Sequence, residues 1–186
     1  MMIVLASASP RRKQLMTKLG YEFFTDVSND DEEIINYRNG FDYVRQAALK
    51  KGQTIAKKYQ DNIIISADTI VLSQGKILGK PKNINEAREM ILSLNNQYHH
   101  VITGVVVIYK NKINVFTEKT KVYVDHITKE EIEEYINTNE PYDKAGGYGI
   151  QGDFSKYIKK IKGDYYNVMG LPLNKLYQVL KKIKND

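Results

Sequence analysis

Residues 11–13, Arg-Arg-Lys, place three positive charges directly after a Ser-Pro pair near the start of the chain. The apolar residues 3–6 before them predict a short strand, and Ser9 and Pro10 predict the N-cap and first position of a helix. Cations in a first turn oppose the helix dipole at a cost of roughly 0.3–1 kcal/mol each, so we expect an anion to compensate them. Because unpaired amides at a helix N-terminus bind phosphate, the stretch indicates a phosphate-bearing ligand.

The same stretch also has a simpler explanation, because many helices begin with Ser-Pro and exposed basic residues are common. It contains neither the Gly-x-x-x-x-Gly-Lys-Ser/Thr pattern of a P-loop nor the Gly-x-Gly-x-x-Gly pattern of a dinucleotide-binding fold. The stretch alone therefore does not decide between a phosphate site and an ordinary helix start.

A second candidate is the acidic residue of a strongly apolar segment. Asp68 interrupts residues 62–73, whose isoleucine and valine content predicts a buried strand. An ionised carboxylate in such a place is costly unless it is paired, hydrogen-bonded or bound to a metal. A strand end or a bulge would explain it structurally, but we favour a functional role. The four carboxylates at residues 30–33 are typical of a solvated loop, and one of them could hold Mg²⁺.

The segment 141–152 is the third candidate, because its four glycines permit backbone conformations closed to other residues. A flexible surface loop would also have this composition. Against that, side chains suited to polar recognition alternate with the glycines, namely Asp143, Lys144, Tyr148 and Gln151. The histidines, His99, His100 and His126, show no metal-ligand spacing, and we assign them no catalytic role.

Length and composition limit the classes of protein that fit. At 186 residues we expect a single domain over residues 1–186, in one or two lobes, with a full core. The chain has no cysteine, which removes disulfides and thiolate chemistry, and no apolar run approaches the roughly 18 residues that cross a bilayer. We therefore expect a soluble cytoplasmic protein that does not bind membranes. The net charge of +6 suits an anionic partner, and without a recognisable nucleic-acid motif we favour a nucleotide over a nucleic acid.

Hydrophobic periodicity predicts strands and helices that alternate around these candidates. An amphipathic helix is expected over residues 41–59, with Gly52 as its weak point and Lys50 near the edge of its apolar stripe. Snorkelling and a ligand contact are both open for Lys50. The other expected elements are a strand within 21–27, a turn at 74–75, a helix over 85–94, a hairpin of 101–109 with 112–124, a helix capped by Thr128 and Glu131, a hairpin of 154–161 with 164–169, and a last helix opening at Pro172.

The motifs together resemble the Maf family of nucleoside triphosphate pyrophosphatases. They run in order along the chain: Ser-Ala-Ser-Pro-Arg-Arg-Lys-Gln-Leu from Ser7, Ser-Ala-Asp-Thr-Ile-Val from Ser66, Gly-Lys-Pro from Gly79, Ile-Thr-Gly-Val from Ile102, the glycine-rich segment, and Gly-Asp-Tyr-Tyr-Asn-Val-Met-Gly-Leu-Pro from Gly163. The resemblance implies an α/β fold similar to the inosine triphosphatase group, with an elongated mixed sheet flanked by helices and two lobes around a nucleotide cleft. It also implies cleavage of a nucleoside triphosphate into monophosphate and pyrophosphate, with a divalent cation, Mg²⁺ or Mn²⁺.

Residues 143–152 are similar to those of the subgroup that acts on dTTP and UTP, which implies those substrates and leaves modified pyrimidine nucleotides open as further ones. The resemblance makes Asp68 the proton acceptor and implies three specificity positions, Arg11, Thr69 and Gln151. The remaining expected site residues are Ser7, Arg11, Arg12, Lys50 and Lys80 for the phosphates, and Asp68 with Glu32 for the metal. Two departures from the family pattern, Ser66 for glycine and Gly147 for alanine, leave these assignments unchanged.

A protein of another class stays open beside the enzyme. Because the family is also associated with septum formation, the chain could be a non-enzymatic, nucleotide-binding regulator of cell division. The sequence leaves the preferred metal open, and it leaves a homodimer open as the assembly.

Overall fold

The computed structural model describes residues 2–27, 34 and 36–185 and confirms the expected mixed α/β fold. The strands are β1 (Ile3–Ala6), β2 (Phe23–Thr25), β3 (Ile63–Ser73), β4 (Lys76–Leu78), β5 (Tyr98–Tyr109), β6 (Lys112–Val124) and β7 (Ile158–Lys162). The helices are α1 (Pro10–Lys18), α2 (Gly40–Ala56), α3 (Ile84–Leu94), α4 (Lys129–Ile136), α5 (Tyr165–Val168) and α6 (Leu173–Asn185). None of the described helices is both long and apolar enough to cross a membrane.

The strands form one seven-stranded sheet in the order β2-β1-β3-β5-β6-β7, with β4 paired to β3. β1 runs parallel to both β2 and β3, whereas β4 is antiparallel to β3 and β7 is antiparallel to β6. The chain divides into two compact units. The first comprises residues 1–69, 103–118 and 166–186, and the second comprises residues 70–102 and 119–165.

The core of the first unit forms where α2 covers the sheet. One cluster of buried apolar side chains there comes from β1, β3, β5 and α2, and its members are Val4, Ala6, Ala48, Ile55, Ile64, Val106 and Ile108. Ser66 of β3 donates a hydrogen bond to the carbonyl oxygen of Ala48 at 2.7 Å. A Cβ atom at Gly52 would lie 2.6 Å from Ser66 Oγ, and one at Gly104 would lie 2.6 Å from the Val44 carbonyl oxygen. Both glycines therefore let the helix and the strands approach closely.

Replacing Gly52 by alanine is expected to destabilise the protein, although alanine favours a helix interior by about 1 kcal/mol over glycine. The added methyl group would collide with Ser66 Oγ, and overpacking of a core typically costs about 1–3 kcal/mol. Urea unfolding of Gly52→Ala, Ser66→Ala and the double variant measures this. The double variant should recover most of the loss, because Ser66→Ala removes the colliding oxygen. A Gly52→Ala protein as stable as the parent would contradict the close contact.

The core of the second unit contains a group of aromatic rings around the buried Phe154. Ring centroids of Tyr135, Tyr148 and Tyr157 lie 5.2, 4.9 and 5.5 Å from that of Phe154. Helix α3 packs against α4, and the predicted capping box of Thr128 with Glu131 is confirmed at the start of α4. The glycine-rich segment contributes one of these rings, that of Tyr148.

Most of the expected elements are confirmed, including the hairpin of β5 and β6, but the second expected hairpin is wrong. β7 pairs with β6 instead of with the residues that follow it, and residues 165–168 form the short helix α5. Local hydrogen bonds explain the difference, since the Gly170 N–H donates to the Asn167 carbonyl oxygen and the Leu171 N–H to that of Tyr166. β6 is 13 residues long, so it offers β7 a ready partner.

Candidate functional site

Arg12 is fixed at the N-terminal turn of α1, where the sequence predicts a phosphate site. Ser9 is the N-cap, as predicted, and its Oγ accepts a hydrogen bond from the Arg12 backbone N–H at 3.4 Å. The Arg12 side chain donates three further hydrogen bonds, from Nε to the Gly170 carbonyl oxygen at 2.9 Å, from Nη1 to Ser7 Oγ at 3.2 Å and from Nη2 to Thr69 Oγ1 at 2.9 Å. The guanidinium therefore joins three separate parts of the first unit.

A chain of hydroxyl groups continues from Arg12 into the sheet. Thr69 Oγ1 lies 3.0 Å from Thr103 Oγ1, and the Thr103 hydroxyl donates to the Asn167 carbonyl oxygen at 3.2 Å. Because Thr103 has given its single proton to Asn167, Thr69 is the donor in the bond between the two threonines. Thr69 thus accepts from Arg12 and donates to Thr103, which fixes the direction of its hydroxyl group.

Burial and charged groups of both signs act on the pKa of Arg12. Burial lowers the pKa of Arg12, the Asp68 carboxylate acts in the opposite direction, and the neighbouring Arg11 lowers the pKa further. An arginine side chain remains protonated in spite of such shifts. Two guanidinium groups and one carboxylate therefore influence one another in this part of the first unit, which leaves an excess of positive charge suited to an anion.

Asp68 pairs with Lys51, a residue that the sequence interpretation missed. Lys51 Nζ lies 2.5 Å from Asp68 Oδ1, and the two side chains are 36% and 18% exposed, respectively. The cost of placing a carboxylate in β3 is thereby reduced by a direct ion pair. A signal for this was present, because Lys51 lies on the apolar stripe of α2 with Val44, Ala47, Ala48 and Ile55, all of which are buried. A charged residue on a buried stripe needs a partner.

The structure brings some of the predicted site residues into direct contact, and others belong to the second unit. Ser7 and Thr69 each accept a hydrogen bond from the Arg12 side chain. Asp68 is linked to the same group by its charge, which raises the pKa of Arg12. Arg11 and Lys50 belong to the same unit, and their roles stay predictions. Lys80 and Gln151 belong to the second unit, where both are exposed. Glu32 lies outside the described residues.

The glycine-rich segment is packed within the second unit rather than projecting as a surface loop. Pro141, Gly146, Gly147 and Tyr148 are buried. The Gly146 N–H donates to the Gly79 carbonyl oxygen at 2.9 Å, which brings the segment next to the Gly-Lys-Pro motif that contains Lys80. Gly146 has a φ of 72°, and a Cβ there would lie 2.8 Å from a methyl carbon of Val71. Glycine is therefore required at this position by both conformation and space.

His99 also contacts this segment, although it has no place among the predicted site residues. Its Nε2 lies 2.6 Å from the Tyr148 hydroxyl, and both side chains are buried. Burial lowers the pKa of His99 to about 3, with a further contribution from His100, and burial raises the pKa of Tyr148. His99 is therefore a neutral imidazole, and a hydrogen bond joins its Nε2 to the hydroxyl of a neutral tyrosine.

His99 is expected to make the protein less stable in acid. Its pKa is lower in the folded state than the ordinary value of about 6.5, so between these two values the unfolded chain binds the extra proton. The free energy of unfolding should consequently fall as the pH drops from about 6.5 towards 3, by up to about 1.4 kcal/mol per pH unit from this residue. Urea unfolding between pH 4.5 and 7 should show a shallower slope for His99→Gln. His126→Gln, at an exposed histidine, is the matched control, and equal slopes for His99→Gln and the parent would contradict the assignment.

No group of three or more His, Cys, Asp and Glu side chains that could hold a metal ion occurs in the described part of the chain. Asp68 is nevertheless a suitable single ligand, because Mg²⁺ is commonly bound through one or two carboxylates together with substrate phosphates. The second predicted ligand, Glu32, falls among the residues that are not described. The Asp68 carboxylate therefore fits a metal ion that is also bound by phosphates of the substrate.

The protein has a mixed α/β fold whose first unit brings together the N-terminus of α1, the Arg12 guanidinium and the hydroxyl groups of Ser7 and Thr69. The architecture is similar to that of the HAM1 protein from Coxiella burnetii, with a TM-score of 0.57 and 12% sequence identity over 98% of this chain and 99% of that one. At this level of identity the likeness concerns the fold alone, and it agrees with the expected mixed α/β architecture.

The sequence comparisons are more specific. A model of the Maf-like protein family matches residues 2–183, and the chain belongs to this family. A dTTP/UTP pyrophosphatase of Halalkalibacterium halodurans is 46% identical over 96% of this chain and 94% of the relative. A dTTP/UTP pyrophosphatase of Bacillus cereus is also 46% identical, over 99% of this chain and 96% of the relative. The predicted family membership is thus confirmed along essentially the whole chain.

Proposed function

We propose that this protein is a pyrophosphatase that hydrolyses dTTP and UTP to the nucleoside monophosphate and pyrophosphate. The observation that carries the proposal is the identity of 46% over nearly the full length with relatives of that name. The arrangement around Arg12 supports it, because a triphosphate needs concentrated positive charge and directed donors. A substrate of this kind also agrees with the expected location in the cytoplasm.

The phosphates are the part of the substrate that the first unit is suited to hold. Ser7 Oγ accepts from the Ser9 N–H and from Arg12 Nη1, so its own proton can be donated to a phosphate oxygen. Arg11 lies one residue nearer to the helix N-terminus, where the dipole also favours negative charge. We assign Ser7, Arg11 and Arg12 to the phosphates, with Lys50 and Lys80 as further cations.

The chemical step requires a water molecule and a group that accepts its proton. Asp68 is our candidate, because its Oδ1 is occupied by Lys51 while a carboxylate has a second oxygen that can accept from water. The water oxygen forms a bond to the α-phosphorus, and the bond from that phosphorus to the bridging oxygen breaks. Pyrophosphate leaves with the electron pair, and the proton of the water passes to Asp68. Positioning of the water in line with the leaving group is the main requirement.

A divalent cation is part of the proposal, with Asp68 and Glu32 as its protein ligands. When bound, such an ion neutralises phosphate charge and polarises the phosphoryl oxygens. Recognition of the base is assigned to Gln151, whose amide has both a donor and an acceptor for the carbonyl oxygens and N–H of uracil or thymine. Arg11 and Thr69 are the other two specificity positions.

Pyrophosphate release from a panel of nucleoside triphosphates, with Mg²⁺ or Mn²⁺ and with excess chelator, tests the proposal. We expect hydrolysis of dTTP and UTP well above that of GTP and ATP, and we expect the chelator to abolish it. Full activity with the chelator would remove the metal from the proposal. Binding of dTTP without release of pyrophosphate from any triphosphate would favour the non-enzymatic regulator, and salt-sensitive binding of DNA or RNA alone would favour a nucleic-acid-binding protein.

A further inference from the structure

The carboxylate of Glu140 lies inside the turn that carries Gln151. Glu140 Oε2 accepts a hydrogen bond from the Asp153 backbone N–H at 2.6 Å. Glu140 Oε1 accepts from the hydroxyl of Tyr135 at 3.2 Å, and the same hydroxyl lies 3.0 Å from the Gly147 carbonyl oxygen. Burial raises the pKa of Tyr135, and the charge of Glu140 raises it further, so the hydroxyl keeps the proton that it donates. One carboxylate thus connects helix α4 to the end of the glycine-rich segment.

The glycines on either side of Gln151 make room for this carboxylate. A Cβ atom at Gly152 would overlap the carboxylate atoms of Glu140. A Cβ atom at Gly149 would lie 3.2 Å from Glu140 Oε1 and 2.8 Å from Lys144 Cε. Neither glycine has the positive φ that would by itself require glycine. Space for the Glu140 carboxylate therefore accounts for glycine at position 152, whereas Gly149 makes room first for the Lys144 stem and then for Glu140.

Lys144 adds a second connection between Glu140 and the segment. Its Nζ donates to the Glu140 carbonyl oxygen at 2.8 Å and to Asp143 Oδ1 at 2.6 Å. The Lys144 side chain is largely buried, whereas that of Asp143 is exposed. The backbone and the carboxylate of Glu140 are consequently both bonded to the segment that surrounds Gln151.

We propose that Glu140 is a positioning residue for base recognition, because it holds the turn of residues 149–152 in the conformation that presents the Gln151 amide to the pyrimidine. This inference rests on the proposed role of Gln151. It assigns to Glu140 no contact with the substrate. Its effect should therefore be seen in the choice between substrates and not in the chemical step.

The test compares the specificity ratio, defined as kcat/KM for dTTP divided by kcat/KM for GTP, among variants of the full chain. A variant that only lowers the fraction of folded protein reduces kcat/KM for dTTP and kcat/KM for GTP by the same factor, so the ratio is unchanged. We expect Glu140→Ala to lower the ratio about tenfold, in the same direction as Gln151→Ala. Glu140→Gln should retain most of it, because an amide can accept from the Asp153 N–H and donate to the Tyr135 oxygen.

Two further proteins make the test specific. The double variant Glu140→Ala with Gln151→Ala should have the ratio of Gln151→Ala alone, since a misplaced and an absent amide are equivalent. Glu133→Ala is the matched control, because it removes a carboxylate of α4 that is bonded to Arg88 instead of to the segment, and its ratio should equal that of the parent.

The outcomes separate this inference from the proposed function. If Gln151→Ala lowers the ratio but Glu140→Ala does not, the positioning role is overturned while recognition by Gln151 stands. If the double variant has a lower ratio than Gln151→Ala, Glu140 acts by another route and the inference is overturned. If Gln151→Ala leaves the ratio unchanged in an active enzyme, recognition by Gln151 fails and the inference fails with it. Should Glu140→Ala not fold, Tyr135→Phe, which removes the hydroxyl bonded to Glu140, must lower the ratio instead.

Discussion

Replacement of Asp68 by asparagine should reduce the turnover of dTTP by at least about 100-fold while the protein stays folded, because a positioned general base contributes about 10²–10⁴-fold to rate. The amide has nearly the size of the carboxylate but cannot take the proton of the attacking water. The folded state should tolerate the change, since the Lys51 ammonium that loses its partner is 36% exposed and can be hydrated. The measurements are kcat at saturating dTTP and the midpoint of thermal unfolding.

Two controls give this result its meaning. Asp26→Asn removes another ion-paired carboxylate of the first unit, bonded to Tyr59 and Lys58, and it should leave turnover unchanged. Lys51→Met keeps the Asp68 carboxylate but removes its ionic partner, so it distinguishes loss of the base from loss of the ion pair. A kcat for Asp68→Asn equal to that of the parent would exclude Asp68 as the proton acceptor.

The local parts of this site could be predicted from the sequence because short-range chemistry determines them. Ser9 and Pro10 specify a helix start whatever the rest of the chain does, and the apolar run of β3 specifies a buried strand around Asp68. The ion-pair partner of Asp68 was harder to predict. Lys50 and Lys51 are adjacent, and choosing between them requires knowing which side of α2 faces Asp68 in the middle of β3.

The contacts of Arg12 could not be predicted for a different reason. Its Nε partner, the Gly170 carbonyl oxygen, is 158 residues away along the chain, and no local pattern specifies such a contact. The error at residues 164–169 has a similar origin, because hydrogen bonds of the Gly170 and Leu171 amides decide that this segment is helical. Long-range pairing and local turns compete there, and hydrophobic periodicity alone does not resolve the competition.

Arg12→Lys should impair both stability and activity even though it conserves the charge. The planar guanidinium donates in three directions, to Gly170, Ser7 and Thr69, and a lysine ammonium on a different stem cannot reproduce that geometry. Hydrogen bonds that involve a charged group are worth about 1.5–3 kcal/mol each, so loss of two should cost about 3 kcal/mol or more in unfolding free energy. We also expect kcat/KM for dTTP to fall about 100-fold, because Ser7 and Thr69 lose the group that orients them.

The matched control for Arg12→Lys is Arg38→Lys, since the Arg38 side chain is 89% exposed and forms only a surface ion pair with Asp42 among the contacts described for it. Urea unfolding and steady-state kinetics of both variants separate a general effect of arginine replacement from the specific role of Arg12. Arg12→Met, which removes the charge as well, should be more impaired in kcat/KM than Arg12→Lys, because the anion then also loses its electrostatic attraction. If Arg12→Lys keeps the activity of the parent, charge alone suffices at this position, and the three directed bonds serve the fold without orienting the site.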